Sequence, residues 1–131
     1  MSKTKKVLIV DDENFIRLLL SRTLEDFEFE GVQILLAETG EQGLEIAIAQ
    51  TPNLVFLDLM MPGIDGLEVC RKMRNTPSLS ETYIALLTAK GNVAIESAET
   101  GPNCCLTKPF DPDQIISLTS EILGIEIDDG Y

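Results

Sequence analysis

Four short apolar runs in this chain each stop at a residue able to carry chemistry. Val7-Leu8-Ile9-Val10 stops at Asp11-Asp12, Leu54-Val55-Phe56-Leu57 at Asp58, the run from Tyr83 to Leu87 at Thr88, and the run from Cys104 to Thr107 at Lys108. A fifth apolar run covers Val32 to Ala37. These runs are too short for helices and are apolar throughout rather than alternating, as expected of strands covered on both faces. Between them lie segments with helical periodicity. Asn14 to Phe27 carries Phe15, Leu18, Leu19, Arg22 and Phe27 near a 3.6-residue period, and Glu41 to Gln50 carries Leu44, Ile46, Ala47 and Ile48 before Pro52 closes it. Gly66 to Asn75, Asn92 to Glu99 and Pro112 to Leu123 complete the set, the last with proline in its first turn, where a missing N–H costs nothing. Strand and helix alternating in this way predict an α/β fold, a doubly wound five-stranded parallel sheet between two helical layers.

The length of 131 residues suits one domain, expected over residues 1–124, with an acidic tail over 125–131 that holds Glu126, Asp128 and Asp129. Ten basic against 22 acidic residues give a net charge of −12, which argues against nucleic acid or an anionic membrane as a partner. No apolar stretch reaches the roughly 18 residues of a membrane span, and the run behind Met1–Lys6 is too short for a signal peptide. The expected compartment is therefore the cytoplasm. With no histidine in the chain, Ser-His-Asp triads and His-ligated zinc are excluded. Cys70, Cys104 and Cys105 are an odd set without a secretory signal, read as reduced, small apolar side chains rather than a disulfide framework.

In an open parallel sheet ligands bind beyond the carboxyl ends of the strands. Asp11, Asp12, Asp58, Thr88 and Lys108 all fall on that rim, although they are scattered from the start of the chain to near its end. Each has a plain structural reading alone. An aspartate before a helix is usually a cap, as expected for Asp65 before Gly66, and Asp58 before Pro62-Gly63 suits a turn. Their joint placement is harder to explain that way. Two like charges about 4 Å apart repel by about 4 kcal/mol at an effective dielectric of about 20. Lys108 offsets only part of that among three carboxylates. A hard divalent cation such as Mg²⁺ offsets the rest, holding waters and leaving a position for a phosphate oxygen. With Lys108 and the Thr88 hydroxyl, it would surround an anionic group carried on Asp58, which is the set of parts phosphoryl transfer to a carboxylate needs.

The stretches Val7-Leu8-Ile9-Val10-Asp11-Asp12-Glu13, Asp58-Leu59-Met60-Met61-Pro62-Gly63-Ile64-Asp65-Gly66, Leu87-Thr88-Ala89 and Lys108-Pro109-Phe110 resemble the receiver domain of two-component response regulators. The match runs from about Lys5 to Leu123. The resemblance implies a flavodoxin-like three-layer sandwich with strand order 2-1-3-4-5. It implies a phosphoryl group passed to Asp58 from a phosphohistidine on a sensor histidine kinase or histidine phosphotransfer protein. Mg²⁺ would be held by Asp11, Asp12, Asp58 and the backbone carbonyl of Met60. Lys108 would pair with a phosphoryl oxygen, Thr88 would swing to it, and the Lys108–Pro109 bond would be cis. Met60 and Lys90 would tune the lifetime of the phosphorylated state. The message would pass to a separate downstream protein or into a phosphorylation-dependent homodimer.

One departure concerns the position three before the lysine, which is aromatic in the family and is Cys105 here. That shifts the expected signal towards Thr88 and its loop, and away from the usual surface formed here by Asn92–Glu99, Cys104–Thr107 and Pro112–Leu123. Two other functions compete: a receiver-like scaffold acting without phosphorylation, and an aspartate-nucleophile phosphohydrolase of the haloacid dehalogenase type. The second wants Asp-x-Asp after the first strand and a cap domain; the strand here ends Asp11-Asp12-Glu13. The expectation is a signalling module rather than a turnover enzyme.

Overall fold

The computed structural model describes residues 4–89 and 101–127. Strands β1 (Lys6–Val10), β2 (Gln33–Ala37), β3 (Leu54–Asp58), β4 (Tyr83–Thr88) and β5 (Cys104–Thr107) form one sheet in the order β2-β1-β3-β4-β5. Every pairing is parallel. Helices α1 (Asn14–Thr23), α2 (Glu25–Phe29), α3 (Gly40–Gln50), α4 (Gly66–Arg74) and α5 (Pro112–Leu123) connect and flank the strands, with a 3₁₀ turn at Pro77–Leu79. The doubly wound flavodoxin-like sandwich expected from the sequence is thus the fold.

The uniform hydrophobicity of the strands follows from this layering. Successive side chains point to opposite faces, so Val7, Ile9 and Phe56 join a layer with Leu20, Phe27 and Ile115, whereas Leu8, Val10 and Val55 join one with Ala47, Val69 and Met73. Both layers are closed to water, and a polar residue inside either run would have no partner. Because β1 lies between β2 and β3, strand order reverses there, and the crevice at the carboxyl ends of β1 and β3 is where a ligand fits.

The structure departs from the sequence reading in several places. The helix expected from Asn14 to Phe27 is two helices, broken at Leu24 (φ −97°, ψ 11°). Its buried stripe is Leu20, Leu24 and Phe27, while Phe15, Leu18 and Leu19 are exposed. Both stripes have helical spacing, so periodicity alone does not choose between them; the bend at Leu24 turns Phe27 under the sheet. Glu13 precedes α1 without a side-chain cap, so neither Asp11 nor Asp12 is the cap that an aspartate there usually is. Asp65 does cap α4, accepting from the Glu68 N–H at 3.0 Å.

Of the cysteines, Cys70 is buried, Cys104 half-buried and Cys105 exposed, so the buried reading fails for Cys105, which lies on the edge strand β5. Burial pushes the Cys70 thiol up to about 11 and also raises those of Cys104 and Cys105. Beyond α5, which Gly124 closes at φ 69°, Ile125 and Ile127 pack on the first layer. The Lys108–Pro109 bond is cis. The helix expected over Asn92–Glu99, and Lys90, lie outside the described residues. Among those described, no helix is long and apolar enough to cross a membrane.

Candidate functional site

Each polar residue of the rim arrives on a different element. Asp11 follows β1 directly and is fully buried; Asp12, one residue on, is exposed. Asp58 closes β3 and Thr88 closes β4, each 4% exposed. Lys108 follows β5, and its N–H donates to the Thr88 carbonyl at 2.8 Å, which locks the ends of the two strands together.

The side chains converge. Lys108 Nζ lies 3.2 Å from Asp11 Oδ2, 3.2 Å from Asp58 Oδ1 and 3.8 Å from Glu13 Oε1. Asp11, Asp12 and Asp58 each offer a carboxylate oxygen within 4.8 Å of the others. A pocket of about 250 Å³ opens over them, lined by Asp12, Glu13, Asp58, Met60, Ala89 and Lys108. Asp11 is held from behind. Its Oδ1 accepts from the Glu13 N–H at 2.9 Å, and Arg17 donates to its carbonyl at 2.7 Å.

Among the described residues, negative charge outweighs positive at this site. Burial first, and the nearby Asp11 carboxylate second, push the Asp58 carboxyl up to about 6; Lys108 and the Met60 N–H work in the opposite direction and do not cancel them. For Lys108, burial alone would lower the ammonium, but Asp58 and Asp11 outweigh it and the net displacement is upward. One ammonium is therefore shared by two buried carboxylates, with a third beside them. That donor set, all hard oxygens with an excess of negative charge, fits a divalent cation such as Mg²⁺.

Close approach of backbone builds the floor. A Cβ on Gly66 would lie 2.3 Å from the Asp58 carbonyl oxygen and 2.8 Å from Leu59 Cα, so only glycine lets α4 start directly beneath the end of β3. The Gly66 N–H donates to Leu59 O at 2.9 Å, and the Leu59 N–H to Leu87 O at 2.8 Å.

Asp11, Asp12, Asp58, Met60, Thr88 and Lys108, singled out in the sequence, lie on this one rim; Lys90, singled out with Met60, is outside the described residues. The sequence reading did not name Glu13, Arg17 or Gly66 as site residues. The adjacency of Glu13 to Asp11-Asp12 was a usable signal for it. The roles of Arg17 and Gly66 depend on tertiary contacts that local sequence does not encode.

Fold and pocket together define a doubly wound domain with an acidic, cation-ready crevice at its switch point. The family model for the response regulator receiver domain matches residues 7–120, and the chain belongs to that family, whose members act in two-component signalling rather than as conventional enzymes. It is 39% identical over 120 residues to the transcriptional regulatory protein ResD of Bacillus subtilis, covering 90% of this chain and 48% of that protein. It is 36% identical over 124 residues to sporulation initiation phosphotransferase F of the same organism, covering 93% of this chain and 96% of that one. Among solved structures, a CheY-like response regulator receiver domain protein from Methanospirillum hungatei superposes with a TM-score of 0.76 at 31% identity, covering 92% of this chain and 94% of that one. The chain spans about half the length of several curated relatives it matches, ResD among them.

Proposed function

We propose that this domain, over residues 1–124, is a phosphoacceptor switch in which Asp58 receives a phosphoryl group from a phosphohistidine on a histidine kinase or histidine phosphotransfer protein. The observation that carries this reading is the Lys108 ammonium, held at 3.2 Å from both Asp11 and Asp58 beneath an open pocket. An Asp58 oxygen attacks phosphorus; the P–O bond forms as the P–N bond breaks, and the donor imidazole leaves with the electron pair. Asp58 is 4% exposed and lines the pocket, so that is the side from which a phosphoryl donor would reach its carboxylate.

Lys108 is placed to follow charge from the carboxylate to the phosphoryl oxygens. Thr88, at the end of the adjacent strand, would offer a hydroxyl to the same group, and its movement would carry Ala89. Asp11, Asp12, Asp58 and the Met60 carbonyl are the proposed holders of Mg²⁺, which would supply charge neutralisation at the transferred group. The signal then passes to a separate protein or into a homodimer.

Intact-mass measurement after incubation with acetyl phosphate and Mg²⁺ tests this. One phosphoryl adduct is expected on the wild type and none on Asp58→Asn. No adduct on the wild type, or an equal adduct on both, defeats the assignment.

A further inference from the structure

β2 is an edge strand: it pairs with β1 on one side and, among the described residues, with nothing on the other. The main-chain bonds fix which groups are left over. The Gln33 N–H donates to Lys5 O at 2.9 Å, and the Asp11 N–H donates to Ala37 O at 3.1 Å, so Gln33 and Ala37 address β1. Ile34 and Leu36 alternate with the residues that face β1, and their N–H and C=O groups point away from the sheet. Proteins usually blunt such an edge with lysine, proline or a bulge. Here Gln33-Ile34-Leu35-Leu36-Ala37 carries no charge and no proline, its register with β1 is unbroken, and Leu36 is 44% exposed.

Two adjoining pockets lie beside this edge and share Glu25, Glu28 and Ile34; Arg22 and Leu36 also line one of them and Phe29 the other. The lining holds two glutamates and one arginine, on a chain of net charge −12. A second copy of the chain would bring the same charge and the same acidic wall, which opposes self-pairing. A cationic strand meets no such penalty. Its lysine stems can lie along Ile34 and Leu36 while the ammonium groups reach Glu25 and Glu28.

We infer that β2 is a strand-addition site for an extended segment of a partner protein bearing lysine or arginine at alternate positions. Main-chain bonds to Ile34 and Leu36 would supply affinity, and the Glu25–Glu28 wall would supply selectivity. The surface uses none of Asp11, Asp12, Asp58, Thr88 or Lys108, so it stands or falls independently of the phosphoacceptor reading.

The probe is a capped heptapeptide alternating lysine with valine. The controls are a peptide of the same composition with its lysines grouped at one end, and one alternating glutamate with valine. With the full chain, the alternating lysine peptide should shift the amide resonances of Gln33–Ala37 and slow hydrogen exchange at Ile34 and Leu36 by about tenfold at saturation. Both controls should leave that exchange unchanged. Leu36→Pro removes the outward donor without touching a bond to β1, and Leu36→Lys places a cation on the edge; each should weaken binding by about tenfold. Both variants should keep the wild-type pattern of dispersed amide resonances away from β2 and a cooperative urea transition, which shows that they are folded. Equal binding of the grouped peptide, shifts confined to other surfaces, or concentration-dependent self-association through β2 would each overturn the inference.

Discussion

Replacing Asp58 with asparagine should stabilise the metal-free protein, and by an amount that depends on pH. Asp58 is 4% exposed and sits beside fully buried Asp11, and burial together with that neighbour lifts its carboxyl from 3.8 to about 6. The folded chain therefore holds this proton more tightly than the unfolded chain does. The stabilisation that comes from protonated Asp58 is fully present below 3.8 and is lost as the pH rises through about 6. Each tenfold change in proton affinity is worth about 1.4 kcal/mol, so ionising Asp58 in the folded state costs about 3 kcal/mol at neutral pH. Asparagine has the shape of the protonated acid and carries no charge at any pH.

Urea unfolding of wild type and Asp58→Asn in the presence of a chelator should therefore show the variant more stable by about 3 kcal/mol near neutral pH, with the gap closing towards about pH 4. Adding Mg²⁺ should close most of the neutral-pH gap from the wild-type side, because an ion that binds only the folded state raises its stability by mass action. A variant that is less stable at neutral pH, or a gap that does not change between about pH 4 and 7, would refute the claim that repulsion and burial at Asp58 are left uncompensated.

Other perturbations have distinct signs. Lys108→Ala leaves Asp11 and Asp58 buried without their shared ammonium, and should destabilise the metal-free chain by about 3 kcal/mol in the same urea assay. It should still accept a phosphoryl group from acetyl phosphate, seen by intact mass, yet fail to show the amide-resonance changes that accompany phosphorylation of the wild type. Gly66→Ala puts a methyl group 2.3 Å from the Asp58 carbonyl oxygen and should cost about 2–3 kcal/mol by thermal or urea unfolding. Arg74→Ala strips the donor from Gly101 O and Thr82 O, each 2.8 Å away, and should cost about 2–3 kcal/mol, with faster hydrogen exchange at the start of β4.

The sheet was legible because its strands have no ambiguity to resolve. Leu54–Leu57 and Ile84–Leu87 are buried, so neither run tolerates a polar residue, and the first polar residue marks the strand end. The rim residues could be named for the same reason: parallel strands connected by helices must end on one side. Strand order and the cis bond before Pro109 were available only through the family resemblance. Helix faces were less legible. Over Asn14–Phe27 the expected set Phe15, Leu18, Leu19, Arg22 and Phe27 has as good a period as the buried Leu20, Leu24 and Phe27; the two share only Phe27, and the bend at Leu24 decides between them. Gly66 looked like a helix start after Asp65; that its missing Cβ makes room for the Asp58 backbone is a long-range fact that no local pattern contains.

The equal 3.2 Å spacings from Lys108 to Asp11 and to Asp58 bear on how such a site changes state. Neither carboxylate owns the ammonium, so a small change in charge on either side redistributes it. A phosphoryl group brings a charge of about −1.5 to −2 and three acceptor oxygens to the Asp58 side. On the proposed reading, Lys108 then leaves Asp11 for the new oxygens. Because the Lys108 N–H is bonded to the Thr88 carbonyl, a shift of Lys108 acts on the end of β4 through the main chain as well as through side chains. That route does not need the aromatic side chain that Cys105 replaces. On that reading, a domain lacking the ring would still couple its acidic pocket to the end of β4.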